Sequence, residues 1–395
     1  LGFSGNPDID LDYLLANINS IGSALNTGQI DAATASQMYL AFPTKVTLRS
    51  PGTSAEIEPD NGGQFGLRLS WYVPELNDTE FSLYYVNYHS RRPLFSGITA
   101  DFTLPTAENP LTAISQDIGF IAANKITEEN LYSLSTFSQV KLAYPEDIKM
   151  YAMSFNTTVG ITAVAGEISY RQDEPLQIDD VELLFTAMPQ QLANAGLAPF
   201  DGISQLNDSN GNPYGPGVAV KGFILSDTVQ AQVTLTHLFG PTFGASQFVG
   251  LVEIGGIDIR DMPEPDVLRL NGPGTARSGG TSVIMSGVQN GTETNPFPTA
   301  FAWGYKVVGK LDYTNVFAGI NVSPRVVFSH DVKGTTPDPL FLFVEDRKSI
   351  ALGLSFDYQN RWSADVNYNT FFGGVGTTNQ IEDRDYVSFS INYSI

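Results

Sequence analysis

The carboxyl-terminal end of the chain alternates between apolar and polar residues. Val387, Phe389, Ile391, Tyr393 and Ile395 are separated by single small polar residues, which are serines and one asparagine. Because successive side chains of an extended strand point to opposite sides, this segment has one apolar, aromatic face and one polar face. The period of two therefore predicts a half-buried β-strand.

The same period recurs along the chain. It predicts about eleven strands, most of them near the roughly ten residues expected for the wall of a membrane barrel. The predicted strands span residues 64–73, 81–89, 149–157, 161–171, 219–239, 246–257, 300–311, 315–329, 347–358, 361–371 and 385–395.

The connections between these strands alternate between short and long. Counting back from residue 395, one end receives the short turns 359–360, 312–314, 240–245, 158–160 and 74–80. The other end receives the loops 372–384, 330–346, 258–299, 172–218 and 90–148. Outer-membrane barrels have short periplasmic turns and long external loops, whereas a sandwich of two sheets has no reason to produce this alternation. We therefore predict an all-β, transmembrane, antiparallel up-and-down β-barrel with helical extracellular loops.

The predicted strands also suggest a division of the chain. Residues 1–63 are expected to form an extracellular helical loop or plug, and residues 64–395 the barrel, with long loops at 90–148, 172–218 and 258–299. Single-chain bacterial barrels usually have an even number of strands, yet the count is odd and the first strand already points toward the periplasm. We favour the interpretation that an odd number of amino-terminal strands is missing; the alternative is one more strand within residues 45–50. The start at Leu1, without Met or a signal peptide, fits a processed or partial form.

The long loops contain segments with helical spacing. Helices are predicted at residues 9–25, 29–40, 111–126, 127–142 and 179–195. Their apolar residues, such as Leu184, Phe185 and Met188, need a partner. The favoured interpretation is that these faces pack on each other and stabilise the loops. The alternative is that they line an apolar access site or plug the lumen, since lids and binding loops are the usual reason for such length.

Composition agrees with a strand-rich membrane protein. The chain has 25 Phe, 17 Tyr, 37 Gly and 23 Pro but only 16% charged residues, against ~25% in a typical soluble domain. It has no Cys, which excludes disulfides and thiolate sites. Its formal net charge of -21 argues against a nucleic-acid partner, because phosphate binding needs a basic face. No apolar run approaches the ~18 residues of a transmembrane helix, which leaves a closed barrel as the spanning structure.

Seven charged residues lie opposite apolar faces and are predicted to line the lumen. They are Arg68, Glu167, Arg171, Glu253, Lys306, Lys310 and Arg325. A Lys or Arg that faced lipid at the midplane would cost ~2–4 kcal/mol, so these side chains are expected to point inward. They either set selectivity or pair across the lumen and fill it.

A second group of candidates lies at the predicted mouth. His89 ends an aromatic strand beside Arg91 and Arg92 and is a candidate for a polar constriction, although a plain position at the wet boundary is the favoured interpretation. Together with Leu184, Phe185 and Met188, these residues form the predicted gate or ligand loop.

Motifs for catalysis or metal binding are missing. The chain contains no nucleophile elbow and no metal-binding helix motif, so we expect neither enzymatic activity nor a cofactor nor a metal. A lipid hydrolase whose triad assembles in space is the enzymatic alternative. Asp208, Asn210 and Asn212 resemble half of a calcium loop, and acidic residues cluster at 258–266. A turn and a solvated loop are the favoured interpretations, because hard cations need several oxygens and the loop motif is incomplete.

Three stretches carry a resemblance to a known family. They are GGQFGLRLSWYVPELNDTEFSLYYVNYHSRRPLFSG at Gly62–Gly97, GEISYRQDEPLQ at Gly166–Gln177 and LFGPTFGASQFVGLVEIG at Leu238–Gly255. The sequence resembles a family of proteobacterial outer-membrane proteins known as a domain of unknown function. The resemblance implies a signal peptide and an amino-terminal barrel portion. It also implies a periplasmic partner of another uncharacterised family and an inner-membrane exporter of the resistance-nodulation-division (RND) type. The chain departs from many outer-membrane proteins by ending in Ile395 instead of Phe.

These observations together favour a membrane transport function. We expect an outer-membrane channel or transporter of a Gram-negative bacterium, in contact with outer-membrane lipid, for a small hydrophobic or amphipathic solute. The alternative is a structural outer-membrane component of an envelope-spanning transport complex with an RND-type partner.

Overall fold

The computed structural model describes residues 7–40, 56–103, 110–127, 130, 133–136, 138–281 and 291–394. The helices are α1 (Pro7–Asn26), α2 (Ala32–Leu40), α3 (Pro110–Ala123), α4 (Asp180–Ala187) and α5 (Pro189–Asn194). The strands are β1 (Glu56–Ile57), β2 (Phe65–Val73), β3 (Thr79–Tyr88), β4 (Leu94–Ile98), β5 (Gln139–Ala143), β6 (Ile148–Val159), β7 (Thr162–Gln177), β8 (Ala219–Val220), β9 (Phe223–Thr242), β10 (Ala245–Ile259), β11 (Phe301–Phe317), β12 (Ile320–Lys333), β13 (Arg347–Tyr358), β14 (Trp362–Gly373) and β15 (Tyr386–Tyr393).

One antiparallel sheet dominates the structure. It contains eleven strands in the order β15-β14-β13-β12-β11-β10-β9-β7-β6-β3-β2, so each strand pairs with the next member of the sheet along the chain. Among the described residues, β2 and β15 are the two edges and do not pair with each other. The prediction of eleven strands in antiparallel up-and-down order is confirmed.

Short and long connections alternate along this sheet, as predicted. The short ones, residues 74–78, 160–161, 243–244, 318–319 and 359–361, lie at one end, which we call the short-turn end. The long ones, residues 89–147, 178–222, 260–300, 334–346 and 374–385, lie at the other, the loop end.

The turn predicted at residues 312–314 is wrong. β11 continues to Phe317 and reverses at Ala318 and Gly319, whose φ angles are 50° and 80°. Two-residue hairpin turns need positive φ, and a glycine adopts it without a steric penalty. The glycine, rather than the polar run before it, therefore marks the turn.

The long loops contain a second sheet that the sequence did not predict. Its order is β1-β5-β4-β8. β5 occupies the end of the helix predicted over residues 127–142, and that prediction is wrong because β5 pairs in antiparallel register with β4. β8 pairs with β4 as well, so the strand predicted over residues 219–239 is two strands that belong to different sheets.

The helix predicted over residues 179–195 is divided at Met188. Pro189 cannot donate a backbone hydrogen bond and occupies the first turn of α5, where none is needed. Asp179 caps α4, because its carboxylate accepts the N–H of Val181 at 3.3 Å.

Most of the hydrophobic core of the described residues lies in the long loops. We call the described parts of 7–40, 56–63, 89–147, 178–222, 260–300 and 334–346 the loop domain. In it, Ile18 of α1 packs with Ile114 and Ile118 of α3, and Met188 joins the same cluster. Gly22 permits this approach, since a Cβ there would lie 2.2 Å from the carbonyl oxygen of Ile121.

The helices of the loop domain have 6 to 20 residues. In the described ranges, none is long and apolar enough to cross a membrane. The strand considered for residues 45–50 lies outside the described residues.

Candidate functional site

The strand register gives the large sheet one apolar and one polar face. Leu69 of β2 lies opposite Leu83, which lies opposite Met153. Facing side chains of adjacent strands share a face, so the apolar positions can be followed from edge to edge. Each strand contributes at least one large apolar side chain that is exposed: Leu69, Leu83, Met153, Ile168, Val233, Ile254, Val307, Val326, Leu352, Val366 and Phe389.

Aromatic rings flank the aliphatic middle of this apolar face. Near the loop end, the ring of Tyr85 lies 5.0 Å from that of Tyr151, which lies 6.2 Å from that of Tyr170. Near the short-turn end, Trp362 lies 4.6 Å from Tyr393, and Trp71 stacks on Phe81 at 5.8 Å. The apolar face is thus an aliphatic band between two rows of rings.

The opposite face carries the charges. The register places all seven residues predicted to line the lumen on this polar face: Arg68, Glu167, Arg171, Glu253, Lys306, Lys310 and Arg325. Their role in selectivity stays a prediction.

Several of these charges have partners on the same face. Arg68 pairs with Glu80 at 3.0 Å and lies over the Tyr84 ring at 5.5 Å. Arg171 pairs with Glu174 at 3.5 Å.

The remaining charges lie on β10, β11 and β12. Glu253 is directly opposite Lys306, and Lys310 is directly opposite Arg325. Lys310 is balanced by Asp312 at 2.8 Å. Glu253 accepts a hydrogen bond from Thr234 at 3.1 Å.

A cavity of about 300 Å³ opens on the polar face. Its walls include Arg68, Glu80, Tyr84, Glu167 and Gln232. The cavity contains both signs of charge together with hydroxyl and amide groups. It can hydrogen-bond a polar solute or the polar part of an amphipathic one.

The polar face changes character at the loop end. There Ile257, Ile259 and Ala302 of the sheet pack against Leu206 and Leu270 of the loop domain. This apolar cluster joins the loop domain to the end of the polar face.

The predicted gate residues occupy different environments. Arg92 is exposed and donates to the carbonyl oxygen of Pro339 at 2.6 Å, with its guanidinium 5.3 Å from the Phe341 ring. It therefore joins the loop after β3 to the loop after β12. Arg91 is exposed and Leu184 half-buried, whereas Phe185 and Met188 are core residues of the loop domain.

His89 is buried and serves the fold. Its Nδ1 accepts the N–H of Asp147 at 3.1 Å, and its Nε2 lies 2.8 Å from the carbonyl oxygen of Gly62. Both nitrogens are thus used within the loop domain.

A second cavity, of about 320 Å³, lies where the loop domain meets residues 378–381 of the last loop, and we call it the loop-domain cavity. Phe341 and Phe343 provide aromatic walls, while Asp180, Asp338 and Thr336 provide polar ones. This mixture suits a small molecule with apolar and polar parts.

A comparison with protein families covers nearly the whole chain. The family described as protein of unknown function (DUF1302) matches residues 12–395. The chain belongs to the DUF1302 family. The predicted resemblance to a family of unknown function is confirmed, and the outer-membrane and exporter associations stay predictions. No curated protein matches this DUF1302 chain.

The sequence analysis did not single out some site residues of the DUF1302 chain. Glu182, fully buried in α4, pairs with Arg269 at 3.0 Å, and Asp338 accepts from Asn271 at 2.7 Å. The acidic residues at the start of α4 were visible in the sequence. Arg269, Asn271 and Asp338 lie far along the chain from α4, and no local pattern indicates that they come close to it.

The acidic stretch considered for calcium forms a turn. The carboxylate of Asp208 accepts the N–H groups of Asn210 and Asn212 at 2.8 and 3.0 Å. These bonds lower the pKa of Asp208 below its ordinary value. Within the described residues, no three acidic or His side chains are placed to share a metal.

Proposed function

We propose that the large sheet is the wall of an outer-membrane β-barrel and that its polar face lines a pathway for a small amphipathic or hydrophobic solute. The observation that carries this proposal is the exposed apolar face, to which all eleven strands contribute. Ile254 is 52% and Phe389 66% exposed, near the middle of β10 and β15.

An exposed apolar face of this extent is unfavourable in water. Burial stabilises by ~25 cal/mol per Å² of apolar surface, so a soluble sheet places such residues against a second layer. The core clusters of the described residues contain no side chain from the apolar face. Acyl chains are the partner that fits a band of aliphatic residues between aromatic rows, since such rows are typical of both membrane interfaces.

Contacts between loops support a curved wall. In the sheet, β3 and β12 are separated by β6, β7, β9, β10 and β11. Six strand spacings of ~4.8 Å would place them ~29 Å apart in a flat sheet. The bond from Arg92 to Pro339 nevertheless joins their loops, as expected if the loop ends converge over the polar face.

The two cavities support passage of an amphipathic solute. The loop-domain cavity offers the rings of Phe341 and Phe343 beside Thr336, and the cavity on the polar face offers charges and hydroxyl groups. In this proposal the loop domain is the gate and the polar face is the pathway.

One observation favours a second function. The apolar cluster of Ile257, Leu206 and Leu270 covers the loop end of the polar face. A permanently closed end would suit a structural component of an envelope transport complex, with an RND-type exporter and a periplasmic partner. Recovery of such partners with the purified full chain, together with no solute uptake by proteoliposomes, would favour this alternative.

The location can be tested with the native tryptophans. The chain has three, and the register places Trp71, Trp303 and Trp362 on the apolar face. In liposomes, we expect brominated lipids to quench all three, most strongly with bromine near the headgroups. The single variants Trp71→Phe and Trp362→Phe assign the signal. Emission that brominated lipids leave unchanged would contradict the membrane location.

A further inference from the structure

Three aspartates lie where three loops of the loop domain join. Asp179 and Asp180 stand at the start of α4, and Asp338 belongs to the loop between β12 and β13. Asp179 is fully buried. In the described residues, one carboxylate oxygen of each aspartate is buried without a hydrogen-bond partner: Asp179 Oδ2, Asp180 Oδ1 and Asp338 Oδ1.

Backbone hydrogen bonds fix these aspartates at a seam. The N–H of Asp179 donates to the carbonyl of Arg269 at 3.0 Å, and that of Asp338 donates to the carbonyl of Asn271 at 3.0 Å. Gln177 donates to the carbonyl of Asp338 at 2.9 Å. Three connections, after β7, β10 and β12, are therefore joined at this point.

Nearby cations are engaged elsewhere. Arg269 pairs with Glu182 at 3.0 Å, and Arg347 pairs with Asp331 at 2.8 Å. Arg92, whose charge lowers the pKa of Asp338, is exposed and donates to the carbonyl of Pro339.

Protonation of a carboxyl group would provide hydrogen bonds for the unpartnered oxygens of these aspartates. Asp179 and Asp180 are neighbours in the chain, and burial disfavours the charged form of both carboxyl groups. Ionised carboxylates only accept hydrogen bonds, so these groups can donate to one another's free oxygens only when one of them is protonated.

We propose that Asp179, Asp180 and Asp338 form a proton-binding site that holds the loop domain closed when protonated and loosens it when the protons leave. The consequence for transport rests on the proposed function, in which the loop domain is the gate. The proton site itself depends only on the contacts within the loop domain.

The direction of the pH effect follows from burial. Burial raises the pKa of Asp338 to about 6, assisted by the nearby charge of Asp180 and opposed by the hydrogen bond from Asn271. Burial also raises the pKa of Asp179 and of Asp180 above their ordinary value of 3.8. The closed state therefore binds more protons than an opened one. Its extra stability is complete at low pH and is lost as the pH rises through about 6.

Hydrogen exchange of the full chain in detergent tests the proposal. Exchange is measured at about pH 5 and about pH 7.5, on either side of the Asp338 pKa of about 6, and corrected for intrinsic rates. Residues 178–187, 267–272 and 334–346 are expected to open several-fold more often at the higher pH. In Asp338→Asn, the side chain is neutral at every pH, so we expect the protection at pH 7.5 to rise and the pH dependence to shrink. Asp201→Asn, at an exposed position of the same loop domain, should behave as the wild type.

Two results would overturn the proton site. One is equal protection of the wild-type seam at both pH values, and the other is an unchanged pH response in Asp338→Asn. If Asp338→Asn does not fold, the infrared C=O band of a protonated carboxyl in the wild type gives the answer; its absence at pH 5 overturns the proposal. Neither measurement involves a membrane or a solute, so failure here leaves the proposed function intact, and failure of uptake leaves the proton site intact.

Discussion

A buried ion pair ties α4 to the loop that follows β10. Glu182 is fully buried and the Arg269 side chain is 12% exposed, and Glu182 also accepts the N–H of Gln205 at 3.0 Å. An ion in such surroundings is stable only with its partner present, because the low-dielectric interior does not solvate it.

Glu182→Ala should therefore destabilise the loop domain by about 3–5 kcal/mol, since it leaves the Arg269 charge buried and unpaired. Opening free energies from hydrogen exchange at 178–194 and 267–280 measure this effect. Glu182→Met combined with Arg269→Leu should recover much of the loss, because both charges are removed.

The matched control is an exposed pair. Arg260 and Asp258 lie 2.9 Å apart, with side chains 60% and 44% exposed. Asp258→Ala should change stability by less than about 1 kcal/mol. Equal effects of Glu182→Ala and Asp258→Ala would contradict the importance of burial at the first pair.

At the scale of residues, the sequence predicted where the charged side chains of the sheet point but not which charged side chains of the loops pair. Arg68 and Lys306 are assigned to the polar face by period two alone, because the strand fixes which way each side chain points. Glu182 and Arg269 are separated by 87 positions. Only the folded loops bring them together, so local patterns contain no sign of the pair.

At the scale of elements, the joint between the two sheets depends on a glycine. Gly222 lies between β8 and β9, and a Cβ there would stand 1.8 Å from the carbonyl oxygen of Phe95. Two hydrogen bonds hold the backbone of Gly222 in this position. Its N–H donates to Ser96 Oγ at 3.1 Å, and its carbonyl oxygen accepts the N–H of Ile178 at 2.9 Å.

Gly222→Ala should loosen the small sheet. Forcing an atom into a packed site costs about 1–3 kcal/mol or more, and we expect faster amide exchange in β4 and β5. Gly215→Ala is the control, because a Cβ at Gly215 meets no atom within 4 Å. Similar amide exchange rates in β4 and β5 of the two variants would show that the backbone at Gly222 lies farther from Phe95 than the structure has it.

The element predictions succeeded where a pattern is long and failed where it is short. β13, in which residues 349–358 alternate, was predicted with its observed bounds. β5 has five residues, and β8 has two. Segments of this length fit helical and extended spacing equally well, and pairing with β4 decides between them.

For the whole molecule, introducing a charge on the apolar face distinguishes a sheet that contacts lipid from one that is exposed to water. Leu354 lies in the middle of the apolar run of β13 and is already 37% exposed. In water, Leu354→Arg would be harmless. In a bilayer it should destabilise by ~2–4 kcal/mol, which folding efficiency into liposomes measures.

The neighbouring residue provides the control. Ser355 is exposed on the polar face, where its hydroxyl donates to Asp365 at 2.6 Å. Ser355→Arg places the new cation beside a carboxylate and should fold as the wild type does. Equal folding of the two variants would count against lipid contact at Leu354.

The alternation of loop lengths predicted correctly that successive strands of this sheet are antiparallel. It left open how the two edges, β2 and β15, are completed. Edge pairing depends on contacts between segments far apart in the chain, on which the alternation of side chains has no bearing.

The position of the core in the loops has a consequence for the order of assembly. Ile18, Ile114 and Met188 meet in one cluster although β2, β3, β6 and β7 lie between them. Bringing such distant segments together costs chain entropy that only pairing of the intervening hairpins offsets. We therefore expect the hairpins to form before this cluster, so that strand pairing precedes helix packing when the chain folds.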